Sequence, residues 1–145
     1  MTGPGESFDV LWTGSEYAMA LDTGNQIDFY RLDSLGNTVD VSYEISDTYW
    51  SANSVDVYKP GLAYNGNDFG CVYGVHESPY DSSISFSIFN LPTIADPLSS
   101  TIDDHGNYDM QNPGVDWLLD EFGVVYGDTA NWLSYRGIDL GGNVS

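Results

Sequence analysis

The acidic segment from Asp103 to Asp109 holds the residue types best suited to binding a cation. Hard oxygen ligands flank Gly106 on both sides, an arrangement that suits a tight loop around Ca²⁺. The ligands of this predicted calcium site are Asp103, Asp104, Asn107 and Asp109. No distal glutamate completes the twelve-residue calcium loop. Turns rich in Asp and Asn also join strands without any ion, so a plain turn is the alternative.

Four aromatic residues in polar loops predict a carbohydrate-binding surface. They are Tyr49, Trp50, Tyr80 and Trp132. A ring beside amides and carboxylates suits a sugar, because the C–H face of the sugar stacks on the ring while its hydroxyls bond to the polar groups. Packing of these rings between sheets, or at a dimer interface, is the alternative.

Residues that could form a catalytic centre are few. His76 and His105 are the only imidazoles, and the chain has neither a Gly-x-Ser-x-Gly nucleophile turn nor a His-Glu-x-x-His zinc motif. Sialidases clamp a carboxylate with three arginines, whereas this chain has Arg31 and Arg136 alone. We therefore predict that the chain is not an enzyme. A fragment of a glycoside hydrolase is the last alternative, because two carboxylates about 5–9 Å apart would suffice for that reaction.

The charge of the chain restricts its partners. The formal net charge is -19, with 22 acidic residues against three basic ones. Nucleic acids and anionic membrane surfaces both require a basic footprint, so neither is a predicted partner. Aspartates outnumber glutamates by 17 to 5, which favours turns and cation sites over helices. A saline or calcium-rich medium would relieve the repulsion among these acids.

The apolar content predicts a folded core. Hydrophobic residues make up 41% of the chain, well above a disordered composition. Cys71 is the only cysteine and lies in an apolar run, so we predict a buried thiol and no internal disulfide. Neither a signal peptide nor a transmembrane stretch is visible.

An internal repeat of about fifty residues organises the chain. Offsets of 52 and 53 residues separate Trp12, Tyr64 and Trp117. A second aromatic follows each of them by five residues, after a polar turn in the first two copies and after a degenerate version of it in the third. Such self-similarity indicates units that bury their apolar faces against one another. The predicted units are 1–53, 54–106 and 107–145 within a single repeat domain.

Each unit predicts a meander of short strands, and helix signals are nearly missing. Four strands are expected in the first two units, with fourth strands at 39–45 and near 93–95, and the third unit ends where its fourth strand should begin. The apolar second strands should lie inside each unit, where the small residues Ala18, Gly70 and Gly123 let neighbouring sheets approach. The recurring aromatics are expected in the core. A β-sandwich of tandem hairpins is the main competing fold.

Two strings in the first unit resemble a known repeat. Leu11 to Tyr17 reads L-W-T-G-S-E-Y, and Ile27 to Val39 reads I-D-F-Y-R-L-D-S-L-G-N-T-V. Both are similar to a repeat of about fifty residues in large secreted bacterial proteins that form β-propellers with four-stranded blades. The second unit departs from this pattern at 88–92, and the third lacks the glycine after Trp117. The resemblance implies a propeller fold and an extracellular or cell-surface setting, and it supplies no catalytic residues.

The number of units creates a requirement for a partner. Propellers close with about 4–8 blades, so three blades, the last incomplete, form only half of a ring. An open fan would expose an apolar face at each end. Either two chains pair about a two-fold axis, or this sequence is part of a longer chain. We predict a non-enzymatic interaction module of β-propeller type, with a lectin-like, calcium-assisted propeller as the alternative.

Overall fold

The computed structural model describes residues 7–78, 81–91, 97–105, 111–127 and 133–145. These residues form three antiparallel sheets of four, four and three strands, which confirms the predicted all-β class. The first sheet contains β1 (Phe8–Trp12), β2 (Tyr17–Asp22), β3 (Ile27–Leu32) and β4 (Tyr43–Glu44). The second contains β5 (Asp56–Tyr64), β6 (Asp68–Ser78), β7 (Asp81–Asn90) and β8 (Leu98–His105). The third contains β9 (Gln111–Leu118), β10 (Glu121–Gly127) and β11 (Leu133–Ile138). Within each sheet the strands are adjacent in chain order.

The first hairpin of every sheet has the same construction. The recurring aromatic pairs across the hairpin with the next aromatic, and the ring centroids lie 4.5 to 4.8 Å apart. The three pairs are Trp12 with Tyr17, Tyr64 with Phe69, and Trp117 with Phe122. Gly14 and Gly66 follow the first aromatic at equivalent places, with φ values of 105° and 102°. The sequence offset therefore corresponds to one repeated local structure.

A second turn recurs in the first and third sheets. The Asp33 carboxylate accepts hydrogen bonds from the backbone of Leu35 and from Asn37, and the Asp139 carboxylate accepts the same bonds from Gly141 and Asn143. Both turns close with a single bridge, Leu32 to Thr38 and Ile138 to Val144. The two turns therefore have equal length.

In every sheet the second strand directs its larger residues to one face, the large-residue face, and most of its smaller residues to the other, the small-residue face, because successive side chains alternate along a strand. The large-residue face carries Tyr17, Met19 and Leu21 in the first sheet, Phe69, Cys71 and Tyr73 in the second, and Phe122, Val124 and Tyr126 in the third. The small-residue face carries Ala18 and Ala20, then Gly70 and Val72, then Gly123 and Val125. The sheets stack head to tail, so that the large-residue face of one packs on the small-residue face of the sheet before it.

Two apolar cores hold this stack together. The first core joins Ala18, Ala20 and Phe29 of the first sheet to Phe69, Cys71, Tyr73 and Phe89 of the second. The second core joins Val72, Ile84 and Phe86 of the second sheet to Phe122, Val124, Tyr126 and Ile138 of the third. Burying one such aromatic stabilises the fold by about 1.5–3 kcal/mol. The second sheet, covered on both sides, is consequently the middle layer.

The first strands of the three sheets lie side by side. β5 contacts β1 on one side and β9 on the other. The backbone N–H of Leu62 donates to the Asp9 carboxylate at 2.8 Å, which joins the first strand to the second sheet. A Cβ added to Gly61 would lie 3.4 Å from the carbonyl oxygen of Pro113, so β5 and β9 also approach closely. The three sheets therefore converge along their first strands.

Three details of the sequence prediction are wrong. Residues 47–53, predicted to be a loop, contain the helix α1 (Thr48–Ala52), which starts where the Asp47 side chain accepts from the N–H of Tyr49. The fourth strand of the first sheet is shorter than predicted, because β4 covers only two residues of the predicted 39–45, whereas β8 is the fourth strand of the second sheet. The expected strand near 93–95 lies outside the described residues. Trp12, expected in the core, is half exposed, because no further sheet covers its face.

Candidate functional site

The large-residue face of the first sheet is an open apolar surface. Phe8, Val10 and Trp12 of β1 lie on it, in register with Leu21, Met19 and Tyr17 of β2. Phe8 is 65% exposed and Trp12 is 50% exposed. A contiguous apolar patch of this kind on a sheet marks a surface for interaction, because apolar area in water is unfavourable. We name these six residues the first open face.

The small-residue face of the third sheet is the second open surface. Leu118, Val125 and Tyr135 line it and are each between 38% and 47% exposed. Leu118 and Tyr135 lie over Gly123, because a Cβ added there would be 2.5 Å from Leu118 Cδ1 and 3.1 Å from Tyr135 Cε2. A hydrogen bond from Tyr135 to Glu121 raises the pKa of that phenol. We name Leu118, Gly123, Val125 and Tyr135 the second open face.

A different, polar surface lies on the second sheet beneath α1. Ser83, Ser85 and Ser87 of β7 alternate with apolar residues, so all three point to the same side of the sheet as Tyr73. Register pairs Ser87 with Ser99 and Ser85 with Thr101 of β8, which extends the row of hydroxyls. α1 covers this row with Trp50, which is only 8% exposed.

Part of this hydroxyl row is fully bonded. The Tyr73 hydroxyl lies 3.2 Å from Ser87 Oγ, and Ser87 Oγ lies 3.0 Å from Ser99 Oγ. The backbone N–H of Asp47 donates to the Tyr73 hydroxyl at 3.2 Å, which attaches the start of α1 to the sheet. Burial raises the pKa of Tyr73 to about 12, so the phenol stays protonated and available as a donor.

Two other polar groups beneath α1 have no hydrogen-bond partner among the described residues. They are the indole nitrogen of Trp50 and the hydroxyl of Ser85, which is 2% exposed. Both residues line a cavity of about 110 Å³, the inner cavity, together with Asp47, Tyr73 and Ser99. An outer cavity of about 260 Å³ adjoins it through Asp47 and Ser99. The outer cavity reaches the surface at Thr48, which is exposed.

The predicted carbohydrate residues do not form one platform. Tyr49 is exposed, whereas Trp50 is buried against the first core, and their rings meet edge to face at 5.0 Å. Trp50 therefore cannot serve as an open stacking surface. Tyr80 and Trp132 lie outside the described residues, so their predicted role stays a prediction.

Two of the four predicted calcium ligands lie in a strand, and the other two lie outside the described residues. Asp103 and Asp104 belong to β8 and pair with Ile84 and Ser83, so they do not lie in a loop as expected. Their side chains, and the whole of Asn107 and Asp109, lie outside the described residues, so the calcium site stays a prediction. Within the described part of the chain, no group of three acidic, histidine or cysteine side chains could hold a metal.

Two further charged or reactive groups have structural roles. Arg31 binds the Glu16 carboxylate through two nitrogens at 2.6 and 2.8 Å and binds Asp40 at 3.1 Å. These carboxylates raise the pKa of Arg31, which keeps the guanidinium charged. Cys71 is fully buried, and burial raises the pKa of its thiol, which suppresses thiolate chemistry.

Sequence reasoning missed the inner cavity. The signal was the alternation of Ser83, Ser85 and Ser87 with Ile84 and Phe86, which indicates a strand with one polar face. Ser87 of this polar face is bonded to Tyr73 and Ser99, whereas Ser85 lies beneath α1 without a hydrogen-bond partner among the described residues.

Comparisons with protein-family models, with curated proteins and with solved structures found no match to this chain. None of the helices in the described residues has the length and apolar character needed to cross a membrane.

Proposed function

We propose that this chain is a non-enzymatic interaction module of β-propeller type that acts outside the cell by pairing with a second copy of itself. The single observation that carries the proposal is the head-to-tail stacking of the sheets, which leaves one large-residue face and one small-residue face open. The extracellular setting comes from the resemblance of the first unit to repeats of secreted proteins.

The two open faces are complementary to each other. Phe69 and Phe122 pack on the small-residue faces of the first and second sheets, and Tyr17 is the equivalent residue of the first open face. Gly70 accepts the Phe122 ring, since a Cβ there would lie 2.7 Å from Phe122 Cδ1, and Gly123 is its equivalent. Tyr17 of one copy therefore fits over Gly123 of the other once Leu118 and Tyr135 turn aside.

Pairing about a two-fold axis would satisfy both open faces at once. The first open face of each copy would meet the second open face of the other, which makes two identical junctions and six sheets in total. Six lies inside the range of about 4–8 blades that close a propeller. A head-to-tail junction that failed to close would instead extend into a filament, so closure is part of the proposal.

The experiment measures the mass of the particle in solution. Light scattering and sedimentation equilibrium should give twice the 15.9 kDa of one chain. Val10→Glu should weaken pairing by at least about a hundredfold, because an unpaired carboxylate would be buried in each junction. Leu35→Glu is the matched control, since Leu35 is 84% exposed in a turn away from either open face and should leave the mass unchanged.

A second substitution tests the head-to-tail arrangement. Val125→Glu, on the second open face, should weaken pairing as strongly as Val10→Glu, because every junction takes one residue from each face. Pairing of two first open faces against each other would be disrupted by Val10→Glu alone. A wild-type chain that remains a monomer over the whole accessible concentration range would refute the proposal.

A further inference from the structure

We propose that the inner cavity beneath α1 binds a small, neutral, polyhydroxylated ligand such as a monosaccharide unit. The Trp50 N–H and the Ser85 hydroxyl, both more than nine-tenths buried and without a hydrogen-bond partner in the described part of the chain, are its recognition groups. This site is independent of the pairing proposed above, because it lies between the second sheet and α1 and involves neither open face.

The unpaired groups require a polar occupant. A buried polar group without a partner costs about 1–3 kcal/mol, so two such groups in one small cavity favour a ligand that pairs with both. An indole N–H only donates, whereas a serine hydroxyl donates and accepts. The occupant must therefore supply an acceptor to Trp50 and either an acceptor or a donor to Ser85. A hydroxyl group meets both requirements.

The charge of the cavity excludes other ligand classes. Among the described residues, Asp47 is the only charged one that lines the two cavities, and the chain as a whole carries a charge of -19, so an anion would be repelled. A cation would be attracted by Asp47, but it cannot accept a hydrogen bond and would leave the Trp50 N–H unpaired. An apolar molecule would leave both groups unpaired. A neutral ligand rich in hydroxyls remains.

The size of the site also suits a single sugar unit. The inner and outer cavities share Asp47 and Ser99, and together they reach the lower end of the range of about 300–1,000 Å³ that holds small molecules. Tyr73 and Ser99, whose hydroxyls are already bonded to Ser87 within the protein, line the inner cavity beside Ser85. A free monosaccharide and the terminal unit of a glycan present the same hydroxyl chemistry to this space.

The experiment uses saturation-transfer NMR and calorimetry on the full chain. Free pentoses, hexoses and their reduced polyols form one arm, and an oligosaccharide array forms the other, so that binding of a free sugar and binding of a glycan terminus are distinguished. At least one probe should bind the wild type. Ser85→Ala and Trp50→Phe should each weaken that binding about tenfold, the loss expected for one hydrogen bond.

Ser83→Ala is the matched control. Ser83 is buried on the same strand and the same face and also has an unpartnered hydroxyl among the described residues, yet it lines neither the inner nor the outer cavity. Its substitution should leave binding unchanged. Circular dichroism should show that all three variants fold, since none of them removes a hydrogen bond between described residues. The proposal is overturned if no probe in either arm binds the wild type, or if binding is equally strong in Ser85→Ala, Trp50→Phe and the wild type.

Discussion

The second sheet is covered on both faces, whereas the first and third sheets are each covered on one. The difference is clearest at one position of the repeat. Phe69 and Phe122 are 2% and 0% exposed, and the equivalent Tyr17 is 38% exposed although it occupies the same place in its hairpin. The side chain remains large and aromatic whether or not a neighbour covers it. The repeat therefore determines which residue type occupies this position, whereas the position of the sheet in the stack determines how exposed the side chain is.

The largest expected effect comes from truncating this position in a covered and in an open sheet. Phe122→Ala should lower the free energy of unfolding by about 3–5 kcal/mol, because it leaves a cavity in the second core. Tyr17→Ala should cost about 1 kcal/mol, mainly the lost edge-to-face contact with Trp12. Urea unfolding at a protein concentration too low for pairing provides both values. Equal losses would show that Tyr17 is as well packed as Phe122 and would remove the comparison.

The hairpins and their register were predictable because they depend on local signals. The glycines after Trp12 and Tyr64 and the alternation of apolar residues are properties of neighbouring positions, and they recur at a fixed offset. The buried Cys71 was predictable for the same reason, since it lies in an apolar second strand. Because the hairpin recurs at this offset, its recognition in the first unit also predicted the first two strands of the second and third sheets.

The helix and the inner cavity were not predictable in this way. α1 has five residues and depends on the Asp47 cap and on the burial of Trp50 against another sheet, which is a contact between distant positions. The exposure of Trp12 also depends on contacts between distant positions. Its hairpin has the same construction as those of the second and third sheets, and only the lack of a neighbouring sheet among the described residues leaves it exposed. Local pattern determines the sheet, whereas the neighbours of the sheet determine what its faces can do.

The second prediction compares the glycines of the two small-residue faces. Gly70→Ala should destabilise the chain by about 1–3 kcal/mol, because the added Cβ would meet the rings of Phe86 and Phe122 at 2.6 and 2.7 Å inside a core. Gly123→Ala should cost about 0.5 kcal/mol or less, since Leu118 and Tyr135 are partly exposed and can move away. Thermal and urea unfolding of both variants test this. A large loss at Gly123 would indicate that the second open face is rigid.

The third prediction concerns the hairpin turn of the third sheet, where Leu119 replaces the glycine of the other two. Leu119 has φ of 57° and is 97% exposed, so it adopts a left-handed conformation without compensating contacts. Leu119→Gly should therefore raise the free energy of unfolding by about 0.5–1 kcal/mol, after the entropy of the added glycine is subtracted. The reverse substitution, Gly66→Leu, should lower stability by about 1–2 kcal/mol. A destabilised Leu119→Gly would mean that the leucine packs on something in solution.

The smallest expected effect is the pH response of the two matching turns, because both carboxylates are exposed to solvent. Hydrogen bonds from Asn37 and Asn143 lower the pKa of Asp33 and Asp139 below the ordinary value of 3.8. A carboxyl whose pKa is lower in the folded state than in the unfolded state stabilises the native chain at pH values above the unfolded-state pKa. This stabilisation is lost as the pH falls through the folded-state pKa. Asp33→Asn and Asp139→Asn should therefore have a lower free energy of unfolding than the wild type near neutral pH, and the difference should disappear in acid.

Urea unfolding across this pH range, with Asp120→Asn as an exposed control outside both turns, measures the effect. Unequal responses at Asp33 and Asp139 would show that the first and third sheets hold their shared turn differently.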